Sequence, residues 1–341
     1  MKVSIVILNY NTCELIKQFL PTVIENSASH DVEIVVADNG STDDSVKWIK
    51  TNHPEIRIIE LQENLGFAGG YNKALSLIDS ELSVLLNSDA APGKNWLPPL
   101  IKAMDENYNT AACVPTIKDY NQPNLYEYAG AAGGFIDRFG YPFCRGRIFN
   151  EIEEDKGQYS QDGNIFWASG AALMVRTQLF LNSGGLDKDF FAHMEEIDWC
   201  WRIKNQGYQI IYVPKSKVYH LGGGTLNYKN PNKTYLNFRN NLFLILKNQA
   251  AKTVFIILIV RLILDLIALL NFIVNKEPQN AKAISRAHRH FFKLLPKYLQ
   301  KRKQLMPLVT KRHHQEIYRG SIVWDFFMRN KHRFSQLNFR P

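Results

Sequence analysis

The chain has 341 residues, 45% of them hydrophobic, enough for one large α/β domain with an appendage and a sizeable core. Its four cysteines (Cys13, Cys113, Cys144, Cys200) form no CxxC and no regular spacing, which argues against a zinc site or a disulfide framework and for a reducing compartment. The net charge of +9 is concentrated in residues 276–341, where 16 Lys and Arg face 3 Asp and Glu, so the body is slightly acidic and the basic end is expected to meet an anionic partner.

Val3 to Leu8 (VSIVIL) is a β-rich run ending at Asn9-Tyr10-Asn11, too short for a signal-peptide core, so this end reads as a first strand. Glu14 to Asn26 has helical spacing. A second run, Val32 to Ala37, stops at Asp38 and a Gly-Ser-Thr turn; Val46 to Asn52 then reads as a helix and Ile56 to Leu61 as a third strand. This alternation is the pattern of a parallel sheet with crossover helices. No G-x-G-x-x-G follows the first strand, which speaks against a nicotinamide or flavin cofactor.

Next comes a Gly-rich loop, Asn64 to Asn72, feeding a helix expected over Asn72 to Ile78. The strand Leu82 to Leu86 follows and stops abruptly at Asn87-Ser88-Asp89 before a turn at Pro92-Gly93. A buried parallel strand that ends in a carboxylate places it in the crevice where open α/β sheets bind ligands. Polar strand ends therefore nominate Asn9, Asn11, Asp38, Asn64, Gly66, Gly69, Asn72, Asn87 and Asp89 as ligand contacts, the glycines by allowing close backbone approach.

The ordered set SIVILNYN, ADNGSTDDS, ENLGFAGGYN and LLNSDA resembles the nucleotide-sugar half of a family 2 glycosyltransferase of the GT-A fold, most of all the rhamnosyltransferase-like members that build bacterial surface polysaccharides. The resemblance implies that Asp38 contacts the nucleobase and that Asn87-Ser88-Asp89 stands where relatives carry a metal-holding DxD element, with Asp89 its one carboxylate. It also implies a divalent cofactor, Mg²⁺ or Mn²⁺. Sugar transfer leaves a diphosphate with new negative charge, which a hard cation stabilises.

Asn95 to Asp162 yields no site: Trp96 to Met104 reads as a helix, Ala111 to Pro115 as a strand, and the aromatics of Tyr126 to Asn150 as core. After the apolar stretch Ile165 to Val175, which contains Gly170, the segment GGLDKDFF (Gly184 to Phe191) leads to Glu195, Glu196 and Asp198 at the mouth of a helix. Three carboxylates this close repel unless compensated, although a helix dipole also favours acids there. By resemblance this is the acceptor side. Glu196 then corresponds to the general base, where relatives commonly carry Asp, with Glu195 and Asp198 sharing the task. Gly170, Trp199 and Arg202 are acceptor-side neighbours, Arg202 as an ion-pair partner of Asp198. Gly207 to Val213 reads as a last strand. His220, in VYHLGGGT (Val218 to Thr225), occupies the family's His-x-Gly-Gly segment, implying a metal or phosphate contact. Tyr235 to Lys247 is a closing helix, whose Arg239 either contacts phosphate or pairs on the surface.

Thr253 to Val274 is long enough to span a bilayer, but Arg261 and Asp265 near its centre each cost roughly 2.5–3.5 kcal/mol on insertion. A helix in the membrane interface or packed on the domain is expected ahead of a spanning one. The basic remainder, with Phe291-Phe292, Trp324 and Phe326-Phe327 interleaved, suits an anionic membrane surface better than nucleic acid.

The expected fold is therefore α/β: a GT-A domain over 1–250, with a Rossmann-like nucleotide-sugar half (1–93), an acceptor half (94–250) and a mixed central sheet flanked by helices, followed by a helical, basic, membrane-associating extension over 251–341. The expected function is inverting, metal-dependent transfer of a sugar, with dTDP-rhamnose as the first donor to consider, to a lipid-linked or polysaccharide acceptor at the cytoplasmic face of a bacterial membrane. A homo-oligomer is left open. The alternatives are a catalytically silent nucleotide-sugar-binding scaffold and a sugar nucleotidylyltransferase.

Overall fold

In the computed structural model, which describes residues 1–29, 31–222 and 230–341, the first apolar run becomes an inner strand of a parallel sheet. β1 (Val3–Asn9), α1 (Cys13–Ser27), β2 (Val32–Asp38), α2 (Ser45–Asn52), β3 (Arg57–Glu60), α3 (Gly66–Leu75) and β4 (Leu82–Asn87) alternate as the spacing predicts. β1 pairs in parallel with both β2 and β4, and Asn9, Asp38 and Asn87 all finish at one edge because the registers match Asn9 with Asp38 and Leu8 with Asn87. Strands buried on both faces need continuous apolar runs, which is why VSIVIL, VEIVVA and LSVLL read without alternation.

The helix expected from Asn72 begins six residues earlier, at Gly66. The glycines are helical here because α3 lies tight against β1: a Cβ at Gly70 would come within 2.7 Å of Leu8 Cδ1. Gly66 itself has φ +69°, and a side chain there would meet the Phe191 ring at 2.8 Å.

The chain then adds β5 (Ala90–Pro92), α4 (Leu97–Asp105) and β6 (Thr110–Asp119), followed by the short strands β7 (Gly134–Asp137), β8 (Pro142–Cys144), β9 (Arg147–Ile148), β10 (Glu151–Ile152) and β11 (Gly163–Asn164). β12 (Ala172–Arg176), α5 (Thr177–Asn182), α6 (Glu195–Asn205) and β13 (Gln209–His220) complete the main sheet, whose order is β11-β13-β6-β12-β4-β1-β2-β3, with β5 on β13. β13 runs on to His220, beyond the expected end at Val213. A register shift between Val213 and Lys217 absorbs Pro214, so the strand continues beside β6 and β5.

α7 (Pro231–Asn248), α8 (Val254–Val274), α9 (Pro278–Leu305), β14 (Ile317–Tyr318) and α10 (Ile322–Arg329) make up the C-terminal part. It folds back on the body. α9 packs along α7, and β14 adds in parallel to β7 to finish a second sheet, β10-β9-β8-β7-β14. Phe334 and Phe339 pack on Phe135 and Phe143 of that sheet, and Glu316 forms a buried ion pair at 3.0 Å with Lys204 of α6.

α8 presents two different sides. Arg261 and Asp265 are buried, 3.5 Å apart, with Arg261 stacked over Tyr141 and Asp265 hydrogen-bonded to His288. Phe255, Ile256, Ile259, Ile263, Ile267 and Leu270 are exposed on the other side. Among the described residues this is one helix long and apolar enough to cross a membrane by length and composition.

Candidate active site

The carboxyl ends of the parallel strands carry a connected polar layer. Asn9 Nδ2 donates to Asp38 Oδ1 (2.7 Å) and to Ser45 Oγ (2.8 Å), while the Ser41 amide donates to Asp38 Oδ2 (3.0 Å). Asn11 Oδ1 accepts from the Thr42 amide at 2.7 Å, tying the loop after β1 to the loop after β2. Asp38 is thus oriented by both its oxygens, and Asn9 and Asn11 hold the two loops together.

The first amides of the Gly-rich segment are engaged within the protein. The amides of Leu65, Gly66 and Phe67 donate to Asn39 Oδ1, Asn64 Oδ1 and Phe191 O. Gly69 is half-buried in α3, and a Cβ there would come within 2.9 Å of Leu65 Cβ. Asn72 is likewise engaged: its side chain donates to Leu186 O (2.7 Å) and accepts from Leu186 N (2.8 Å), clamping α3 to the Gly184–Asp187 turn. Asn64, Gly66, Gly69 and Asn72 therefore shape the wall between the two halves of the sheet.

Asp89 follows β4 and is buried, with Oδ1 2.9 Å from His220 Nε2; the side-chain Nδ2 of Asn87 lies 3.2 Å from the same ring atom. The pairing of β5 with the end of β13 brings residues 89 and 220 together across the chain. On the other side of the ring, His220 Nδ1 is buried 3.5 Å from Glu127 Oε1, without a hydrogen bond. Burial alone favours a neutral imidazole, but the hydrogen bond to Asp89 and the charge of Glu127 outweigh it and push His220 up to about 10. Glu127 lies in the stretch from which the sequence yields no site. The signal was an acid between two tyrosines just before a Gly-Ala-Ala-Gly-Gly run. Gly223 to Thr225 of the His220 motif lie outside the described residues.

Among the described residues no group of three or more His, Cys, Asp or Glu lies at metal-binding spacing. A hard cation at this place would take Asp89 and His220 from the protein and oxygens from a diphosphate and water, a set that fits Mg²⁺ or Mn²⁺. The unpaired, buried His220 Nδ1 aimed at a carboxylate is the usual support behind a ligating histidine, so the residues fit the group.

The three acids of α6 part company. Asp198 is fully buried and saturated: Oδ2 accepts from Arg202 Nε (2.9 Å) and Lys247 Nζ (2.7 Å), and Oδ1 from Asn248 Nδ2 (2.8 Å). Arg202 also donates to Ser183 O and Gly185 O, and Trp199 is a core residue whose indole donates to Ser183 Oγ at 2.9 Å. Asp198, Trp199 and Arg202 thus build the scaffold of α6. Glu195 and Glu196 each keep one buried carboxylate oxygen with no hydrogen-bond partner. Burial, aided by the charges of Glu196 and Asp198, pushes Glu195 well up, and burial pushes Glu196 up to about 7. Glu196 remains half-buried, whereas Glu195 is buried.

The backbone leading into α6 is strained. Phe191, His193 and Met194 all have positive φ (66°, 68° and 73°), and Asn240 of α7 pins the segment by donating to the carbonyls of Phe190, Ala192 and His193. Asp187 and Asp189 upstream are held by Lys247, Lys301 and Lys297. Arg239 donates to the Asp189 and Phe190 carbonyls, so it serves this loop. Gly170 faces Phe67, whose ring a Cβ would meet at 2.9 Å, and the next residue, Ala171, accepts from the Asn87 amide.

Comparisons with known proteins agree with this architecture. The family model for glycosyl transferase family 2 matches residues 4–182. An N-acetylglucosaminyl-diphospho-decaprenol L-rhamnosyltransferase of Mycobacterium tuberculosis is 23% identical over 63% of this chain and 75% of its own. A low-salt glycan biosynthesis hexosyltransferase, Agl10, of Haloferax volcanii is 25% identical over 70% and 73%. Among solved structures, GalNAc-T7 with UDP, GalNAc and Mn²⁺ is similar at a TM-score of 0.57 and 16% identity, covering 72% of this chain and 47% of that one. A mannosyltransferase of Pyrobaculum calidifontis with GDP-Man and Mn²⁺ gives 0.53 at 18% identity, covering 91% and 86%. The fold is that of the GT-A glycosyltransferases.

Proposed function

The chain belongs to glycosyltransferase family 2 and is a glycosyltransferase, and on that premise we propose an inverting, metal-dependent transfer of a sugar from a nucleotide-sugar donor to a lipid-linked or polysaccharide acceptor in cell-surface glycan synthesis. The observation that carries this reading is the Asp89–His220 pair, backed by Glu127, at the carboxyl end of the parallel strands. Asp38, with Asn9 and Asn11 behind it, receives the nucleoside. Asp89 and His220 would hold a divalent cation, which when bound would stabilise the charge on the leaving diphosphate. Solved neighbours that carry Mn²⁺ support that choice.

Glu196 is the base. Its half-buried carboxylate, with one oxygen unengaged, takes the acceptor hydroxyl proton as that oxygen attacks the anomeric carbon. The new C–O bond forms on the face opposite the breaking bond to the diphosphate, which leaves with the electron pair, so a single displacement inverts the centre. Glu195 keeps the neighbourhood electrostatically poised. Because Asp198 is saturated by Arg202, Lys247 and Asn248, it takes no proton in this scheme.

The rhamnosyltransferase name of the mycobacterial relative makes dTDP-rhamnose the first donor to test, and its diphospho-decaprenol acceptor supports a lipid-linked one. The inward charges and outward apolar side of α8 support a seat on the cytoplasmic membrane surface as an interfacial helix.

The test is hydrolysis of UDP-, GDP- and dTDP-sugars by the full chain in detergent with Mg²⁺ or Mn²⁺, beside Asp89→Ala and Glu196→Ala. Release of nucleoside diphosphate from one donor, lost in both variants, is the expected result. Donor binding without turnover, even with membrane lipid extract present, overturns the enzyme mechanism in favour of a silent scaffold.

A further inference from the structure

The turn that leads into Glu195 and Glu196 starts on two aspartates, and most of the cations on them come from the C-terminal helix α9. Asp187 Oδ1 accepts from Lys301 Nζ of α9, 114 positions later in the chain, and Asp187 Oδ2 from Lys247 Nζ of α7, both at 2.6 Å. The same Lys301 Nζ reaches Asp189 Oδ2 at 2.6 Å, and Lys297, one turn earlier on α9, meets that oxygen at 2.6 Å as well. Burial alone raises the Asp187 carboxyl, but Lys247 and Lys301 outweigh it and hold it well below the usual carboxylate range. The mount is rigid. Tyr298, between the two lysines, stacks on the Phe243 ring of α7 with centroids 3.6 Å apart.

Two observations make this grip a matter of placement more than of general stability. Between the gripped aspartates and α6, Phe191, His193 and Met194 all take positive φ, a costly run that persists only where its surroundings impose it. That run ends in three buried atoms with no hydrogen-bond partner among the described residues, His193 Nε2, Glu195 Oε2 and Glu196 Oε2. The engaged acids thus lie at the start of the turn and the unengaged ones at its end. A buried ion pair is weak evidence for stability, because apolar side chains of similar volume often do as well; what it can add is a fixed geometry. A base needs that geometry, since its oxygen must stand within hydrogen-bond reach of the proton it takes.

We propose that Lys301, seconded by Lys297, is a positioning residue for the transfer reaction: from α9 it sets the turn of residues 187–194 and so the place of the Glu196 carboxylate. α9 then belongs to the working site and is not an appendage to it. The inference rests on Glu196 as the base and adds what holds that base in place.

The experiment measures nucleoside diphosphate release by the full chain in detergent, from the donor that the native protein hydrolyses. Lys301→Met, Lys301→Arg and Asp189→Asn are compared with Glu196→Gln and with Arg302→Met, and thermal melts check folding. Arg302 is the control on the same helix, since it docks α9 on the end of α7 by donating to the Leu246 and Gln249 carbonyls at 2.7 Å. Misplacing a reacting group by 1 Å can cost about 100-fold, so kcat should fall about tenfold or more in Lys301→Met and about threefold or more in Asp189→Asn. Donor KM should stay within about twofold, Lys301→Arg should restore most of the rate, and Arg302→Met should keep kcat within about twofold even where its melting temperature falls as far. Asp189→Asn removes one charge without changing shape, so it decides the matter should Lys301→Met fail to fold. Native kcat in either folded variant overturns the positioning role and leaves Glu196 as the base. An equal fall of kcat in Arg302→Met reduces Lys301 to docking the helix and also overturns it. If Glu196→Gln keeps native turnover, the base reading falls and the proposal with it.

Discussion

Glu127 Oε1 lies 3.5 Å from His220 Nδ1, on the side of the imidazole opposite Asp89. A carboxylate behind a ligating histidine fixes the ring and raises its basicity, and removing such support typically weakens metal binding by ~10–100-fold. Glu127→Gln should therefore raise the Mn²⁺ concentration needed for half-maximal nucleoside diphosphate release at least tenfold, with turnover recovering at saturating metal. An unchanged metal requirement would show that Glu127 only packs against the ring.

For Glu196 the sign is set by which form reacts. Burial raises its carboxyl to about 7, and only the deprotonated form accepts a proton, so transfer should rise with pH through about 7 and fall about tenfold per unit below it. Glu196→Gln should remove that limb and lower kcat by ~10²–10⁴-fold while donor affinity stays within twofold. A pH profile of kcat/KM decides the matter; an ascending limb that survives in Glu196→Gln assigns the base elsewhere.

Asp198→Asn acts on stability. It leaves Arg202 buried without its carboxylate while Lys247 keeps Asp187, so the cost should fall at or below the ~3–5 kcal/mol of breaking a buried pair outright. The melting temperature should drop by several degrees, with donor hydrolysis retained by the fraction that stays folded. Full loss of hydrolysis at an unchanged melting temperature would put Asp198 in the chemistry after all.

On α8, Ile263 and Ile267 are 55% and 57% exposed and lie one turn apart on the outer side. Fully burying one such side chain contributes ~1.5–3 kcal/mol, so Ile263→Asp with Ile267→Asp should weaken vesicle binding more than tenfold without lowering the melting temperature. Sedimentation with vesicles measures the first and a thermal melt the second. A double variant that still binds tightly means another surface docks.

The parallel half was legible because its strands are uninterrupted apolar runs cut off by polar residues: Asn9, Asp38 and Asn87 mark three strand ends that the registers bring to one edge. The acids of α6 were legible as a group but not as individuals. Glu196 and Asp198 are two residues apart, ~200° around the helix, so they face different surroundings, and the Lys247 that saturates Asp198 comes from a separate helix. Glu127 escaped notice for a similar reason: its meaning depends on His220, 93 positions later, and no local pattern records such a pairing. The start of α3 was missed because glycines read as a loop, whereas here their missing side chains let a helix press against β1.

β14 joins β7 across some 180 residues, and the amide of Ile322 closes on the carboxylate of Asp137. The parallel strands β1 to β4 are near neighbours in sequence and can assemble while the ribosome is still working. The second sheet stays an incomplete ribbon until that late segment emerges, and such long-range closures are the slow steps of folding. Synthesis order thus imposes a sequence on maturation. A nascent chain completes the parallel strands that end at Asn9, Asp38 and Asn87 before it can finish the second sheet, and one stalled short of Ile317 keeps an open strand edge at β7.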